Sequence, residues 1–162
     1  MDLTLTISRS KVYDAVAQET IYIGGRSSAA DVETYDKVFT TDDDKQWLDI
    51  MFRDACSTLS LVLAEYATDA TDLTANPADR SDYTMQLHLP DNVNAVTLSA
   101  LPSDAHNYVV TSVLTDYLTR LGLENAEIYK AQGSSLVETI VNKLSERKRP
   151  LYDEIVNERG WA

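Results

Sequence analysis

Three consecutive aspartates, Asp42, Asp43 and Asp44, are the residues in this sequence with the plainest capacity for chemistry. A carboxylate cluster can bind Ca²⁺, but a calcium loop needs ligands at alternate positions, a central glycine and a distant bidentate glutamate. The stretch FTTDDDKQWLDIMF has none of these. Thr41 with Asp44 instead resembles a capping box, and carboxylates are favourable at the positive end of a helix dipole. The pattern therefore predicts a capped helix start, with no metal site.

Histidine and cysteine are the next candidates for catalysis, and the chain has only His88, His106 and Cys56. Neither an HExxH motif nor a nucleophile elbow accompanies them. His88 falls on the polar face of a predicted strand and His106 in the first turn of a predicted helix, so we expect both at the surface. Cys56 lies in an apolar helical pattern, which predicts a small buried hydrophobe. We predict no enzyme activity, no cofactor and no metal, and keep an enzyme as a lesser alternative.

A glycine pair in GGRSS, residues 24–28, superficially resembles a phosphate-binding loop. The spacing GxxxxGK[ST] is absent, and no strong buried strand precedes the glycines. The pattern is more typical of a surface loop.

A basic run, KLSERKR, ends the last long helical pattern with Lys143, Arg147, Lys148 and Arg149. Cations at a helix C-terminus complement the helix dipole, which is one interpretation. A docking site for an acidic partner or another copy of the chain is a second, and nucleic-acid contact is a third. Arg147, Lys148 and Arg149 are therefore interaction candidates.

Both tryptophans are also interaction candidates. Trp161 stands near the C-terminus, where an aromatic side chain either folds back onto the core or anchors in a neighbouring molecule. Trp47 lies one turn into the helix that follows the aspartates, away from its apolar stripe.

The overall charge limits the partners that the whole surface could hold. In 162 residues, 26 acidic side chains outnumber 14 basic ones, and the net charge is −12. Extended binding to nucleic acid or an anionic membrane needs clustered Lys and Arg, so neither is expected. We see no basic leader and no run near 18 apolar residues, and one cysteine gives no disulfide framework, so we expect a reducing cytoplasm.

Alternation and helical spacing predict the elements in the first half. Residues 2–8 alternate as a half-buried strand. Ser10 can cap a helix that carries Val12 and Val16, although residues 21–23 could return to strand and residues 25–31 resemble a loop. The longest helix is predicted over 42–67, where an apolar stripe is widened by further apolar residues near its end. The stripe comprises Leu48, Met51, Phe52, Ala55, Leu59, Val62 and Tyr66, and the late additions are Leu61, Leu63 and Ala64.

The second half continues with a loop over 68–81 and a strand over 82–89. Ser103 can cap a second long helix, which Gly122 would end in a left-handed conformation. A third helix is predicted over 124–149, with Gly133 a possible interruption and an inward face of Tyr129, Leu136, Val137, Ile140, Val141 and Leu144. The fold class is mainly α: a small bundle of two to three long helices, a short N-terminal strand, and a strand or hairpin near 82–98. We assign one domain to 1–150 and a tail to 151–162.

Three segments resemble the head–tail connector (head-completion, adaptor or neck) proteins of tailed bacteriophages. They are TTDDDKQWLDIMFRDACSTLSLVLAEYA, LPSDAHNYVVTSVLTDYLTR and the helix ending in KLSERKRP. The first segment carries an apolar stripe of Leu48, Met51, Ala55 and Leu59. The second resembles the family's second core helix in the placement of Pro102, Val109, Val113, Tyr117 and Arg120. The beginning, MDLTLTISRSKVYD, is similar to small prophage-encoded proteins of gut bacteria.

This resemblance implies a structural protein of the virion neck, assembled in the host bacterial cytoplasm. Such proteins form a homo-oligomeric ring, commonly a dodecamer, between the portal and the tail components. The ring extends the channel through which genomic DNA passes without specific binding. A different class remains open: a small acidic helical binding or regulatory protein, similar to a DNA mimic, that occupies a basic host or phage partner.

Overall fold

The computed structural model describes residues 1–27, 44–73 and 80–147. The three strands are β1 (Asp2–Ile7), β2 (Ala67–Ala70) and β3 (Tyr83–His88). The helices are α1 (Arg9–Ser27), α2 (Lys45–Val62), the short α3 (Ala95–Leu98), α4 (Leu101–Arg120) and α5 (Ala126–Ser145). The fold is therefore mainly helical with a small sheet, and the predicted class is confirmed.

The sheet is antiparallel with the order β1-β3-β2. The two predicted strands are confirmed, because alternate side chains of β1 and β3 are buried against the helices. Leu5 pairs with Met85 and Leu3 with Leu87, so the apolar faces of both strands lie in register.

Strand β2 corrects the prediction of a loop over 68–81. Its side chains are largely exposed, so the sequence shows no alternation of apolar and polar residues there. Backbone pairing to β3 defines this edge strand, with an irregular register between Ala67 and Asp69. Thr71 N–H continues the pairing by donating to Thr84 at 2.8 Å.

Helix α1 corrects the prediction of a loop from residue 25, as far as residue 27. It continues unbroken to Ser27, and residues 21–23 are helical. Val12, Val16, Thr20 and Ile23 form one buried stripe at helical spacing. Burial of this stripe stabilises the helix through Gly24 and Gly25, because the free energy of burial outweighs the roughly 1 kcal/mol that each glycine costs in a helix.

Helix α2 is shorter than predicted at both ends. In the described part of the chain, the Asp44 side chain flanks the helix start and caps no backbone N–H. It makes a side-chain hydrogen bond with Tyr117, and burial together with this carboxylate raises the pKa of Tyr117 to about 12. Thr41, Asp42 and Asp43, and with them the predicted capping box, lie outside the described residues. Leu61 is 75% exposed, so the predicted widening of the stripe is wrong at that position.

Helix α4 begins at Leu101. The prediction that Ser103 caps this helix is therefore wrong, because Ser103 lies inside its first turn. Its C-terminus confirms the prediction for Gly122, which has φ +70°. Gly122 N–H donates to Thr119 and Leu123 N–H donates to Leu118, at 3.0 and 3.1 Å. This is a Schellman motif, and it turns the chain back into α5.

Helix α5 is continuous through Gly133, so the predicted interruption does not occur. Of its predicted inward residues, Ile140 and Leu144 are buried and Tyr129, Leu136 and Val137 are partly buried, whereas Val141 is exposed. Helix α4 is central: it packs against α1, α2, α5 and β1. The domain boundary at 150 stays a prediction.

We expect Gly133→Ala to raise the free energy of unfolding by about 0.5–1 kcal/mol. Alanine loses less backbone entropy than glycine in a helix, and a Cβ at this position meets Thr111 Cγ2 at 3.7 Å, an ordinary contact. Urea unfolding followed by circular dichroism measures the change. Gly122→Ala is the matched control and should be destabilising, because its φ of +70° strains any side chain. A destabilised Gly133→Ala variant contradicts the prediction.

Candidate interaction surfaces

A buried ion pair joins the starts of α1 and α2 beneath the surface. Arg9 Nη1 lies 3.0 Å from Asp49 Oδ1, and both side chains are almost fully buried. The Arg9 guanidinium also stacks over the ring of Phe52, 4.7 Å from its centroid. Tyr13 O–H donates to the same Asp49 oxygen, and burial and this hydrogen bond both raise the pKa of Tyr13.

The segment before β3 closes the same network. Arg9 Nε donates to the Ser81 carbonyl at 3.2 Å, and its backbone N–H donates to Asp82 Oδ1 at 2.9 Å. Arg80 Nε reaches Asp49 Oδ2 at 3.5 Å from a mostly exposed position. Asp49 therefore accepts from several donors at once, which suits a structural tie. The sequence carries a signal for this position: Asp49 lies three residues before Phe52 and seven before Cys56, so helical spacing places it on the buried side of α2.

Trp47 lies on an open surface, as its position off the apolar stripe indicated. Its side chain is 51% exposed. The Arg120 guanidinium, from the last turn of α4, lies 4.6 Å from the centre of the indole ring. A cation over an aromatic face is worth about 0.5–1 kcal/mol at an exposed site. We call Trp47 and Arg120, with the adjoining exposed Leu121, the Trp47 surface.

A carboxylate pair, Asp54 and Asp116, lies beside Arg120 on these two helices. Burial and the Asp54 carboxylate raise the pKa of Asp116, while Arg120 opposes that shift.

The basic run is divided by the structure. Lys143 is partly buried and pairs with Asp104 in the first turn of α4, so it serves the α4–α5 contact. Arg147 is exposed, donates to the Leu144 carbonyl at 2.8 Å and forms a β-bridge with Val93. Arg147 remains an interaction candidate, whereas Lys148, Arg149 and Trp161 lie outside the described residues.

A groove of about 430 Å³ runs between α1 and α5, with α4 as its floor. Val110, Thr111 and Leu114 form that floor, and the wall of α5 includes Tyr129 and Leu136. We call this feature the α1–α5 groove. A hydrogen bond crosses it: Tyr129 O–H donates to Glu19 Oε2 at 3.0 Å.

The two histidines and the cysteine differ in their surroundings. His88 is exposed and pairs with Asp2 across the sheet at 2.7 Å, as a solvent-facing position predicts. His106 is partly buried, and burial and nearby Lys11 lower its pKa from the ordinary value of 6.5. Cys56 is fully buried as predicted, and burial raises the pKa of its thiol to about 12.

Across residues 1–27, 44–73 and 80–147, no three His, Cys, Asp or Glu side chains are grouped so that they could hold a metal ion. Within the same ranges, none of the helices is long and apolar enough to cross a membrane.

In comparisons with known proteins, no family model, curated protein or solved structure matches this chain.

Proposed function

We propose that this protein is a structural head–tail connector of a tailed bacteriophage. The observation that carries the proposal is the packing of α2 against α4, the two helices whose sequences resemble those of connectors. Residues of the resembling stripes, among them Leu48, Met51, Leu59, Val109 and Val113, are buried. The helix order and inward faces therefore agree with what the resemblance implies.

A ring of identical subunits suits the charge of the chain. Ring contacts are heterologous: one surface of each subunit meets a different surface of the next, and rotation closes the assembly. At a net charge of −12, a channel lined by this protein would repel phosphates and let DNA slide. The partners in this proposal are copies of the chain, the portal protein and the tail components, and the location is the virion neck.

The Trp47 surface is our first candidate for a contact in such an assembly. Trp and Arg are enriched among the residues that dominate binding energy, and Trp47 and Arg120 present both types together. We expect Trp47→Ala to weaken assembly about 30-fold, since a hot spot contributes about 2 kcal/mol.

Sedimentation velocity over a concentration series measures this loss of assembly. If the chain assembles only on the portal protein, the affinity of the chain for the portal protein is measured instead. Leu61→Ala is the control, because Leu61 is an exposed apolar residue on the same helix. Equal weakening by both substitutions, or by neither, contradicts the role of Trp47.

The proposed function is tested by native mass spectrometry and electron microscopy of the purified chain, together with binding to the portal protein encoded nearest to it. Rings, or a stable complex with the portal, support a connector. A chain that stays monomeric at high concentration and binds neither portal nor tail protein overturns the proposal. Portal binding is the more decisive measurement, because some connectors stay monomeric until assembly.

A second candidate is a small acidic binding protein that imitates DNA, and the net charge of −12 favours it. Such a protein would present carboxylates, including those of Asp42, Asp43 and Asp44, to a basic site. Affinity purification from host lysate separates the two functions. Recovery of one nucleic-acid enzyme in place of virion proteins supports mimicry.

A further inference from the structure

We draw no further inference here: the strongest candidate, the α1–α5 groove over the floor of α4, is already bridged by the hydrogen bond from Tyr129 to Glu19, and nothing in the structure shows what covers it.

Discussion

Asp49→Ala is expected to lower the free energy of unfolding by about 3–5 kcal/mol, which is the cost of breaking a buried ion pair from one side. The substitution leaves the Arg9 guanidinium almost fully buried without its carboxylate at 3.0 Å. Tyr13 O–H loses its acceptor as well. Urea unfolding of the monomer, followed by circular dichroism, measures the change.

Two further variants show whether the unpaired charge is the cause. Asp49→Asn keeps the size of the side chain and removes its charge, so it should remain strongly destabilising. Arg9→Met combined with Asp49→Leu removes both charges and should recover part of the loss, because well-packed apolar residues often replace a buried pair at little cost. A loss under 1 kcal/mol for Asp49→Ala contradicts the role given to this network.

Leu59→Ala is expected to lower the free energy of unfolding by about 2–5 kcal/mol. Leu59 is 0% exposed and lies on the face of α2 that packs into the core. Truncation removes buried methyl groups and leaves a cavity that the surrounding helices fill only in part.

Leu61→Ala is the matched control, because it makes the same chemical change two residues away on the same helix. Leu61 is 75% exposed, so we expect a change within about 0.5 kcal/mol. Similar losses in the two variants would show that Leu61 is buried in solution, for instance against another copy. Measurement at several protein concentrations separates that case from a difference within the monomer.

Much of the fold could be predicted from periodicity. Alternation located β1 and β3, and three- or four-residue spacing located α2, α4 and α5, because each of these elements buries one face. Gly122 was predictable for a different reason: its left-handed conformation costs glycine less than any other residue.

The errors occur where packing outweighs local preference. Helix α1 passes through Gly24 and Gly25 because Thr20 and Ile23 are buried on its stripe. Strand β2 has no apolar alternation and depends on hydrogen bonds to β3, residues that are distant in sequence. Helix ends depend on small energies, so the bounds of α2 and the cap of α4 were shifted.

For the candidate surfaces too, the sequence predicted some features, and others depend on the tertiary structure. Residue type and position off the stripe were enough to select Trp47, and a basic run at the end of a helical pattern was enough to select Arg147. The partners of these residues were not predictable, because Arg120 reaches the indole of Trp47 from another helix. The Arg9–Asp49 pair joins residues that are 40 positions apart, so no local pattern reveals it.

Composition thus specified the acidity of this chain, and local spacing specified its helical class and the buried face of most elements. The packing of α1, α2 and α5 decided the rest: which charges are paired, which apolar residues stay exposed, and where a groove remains. The physical reason is that burial of one face follows from neighbours along the chain, whereas contacts between faces follow from how whole elements pack. The triple aspartate illustrates the difference: spacing marked a helix start there, and only the fold placed Asp44 against Tyr117.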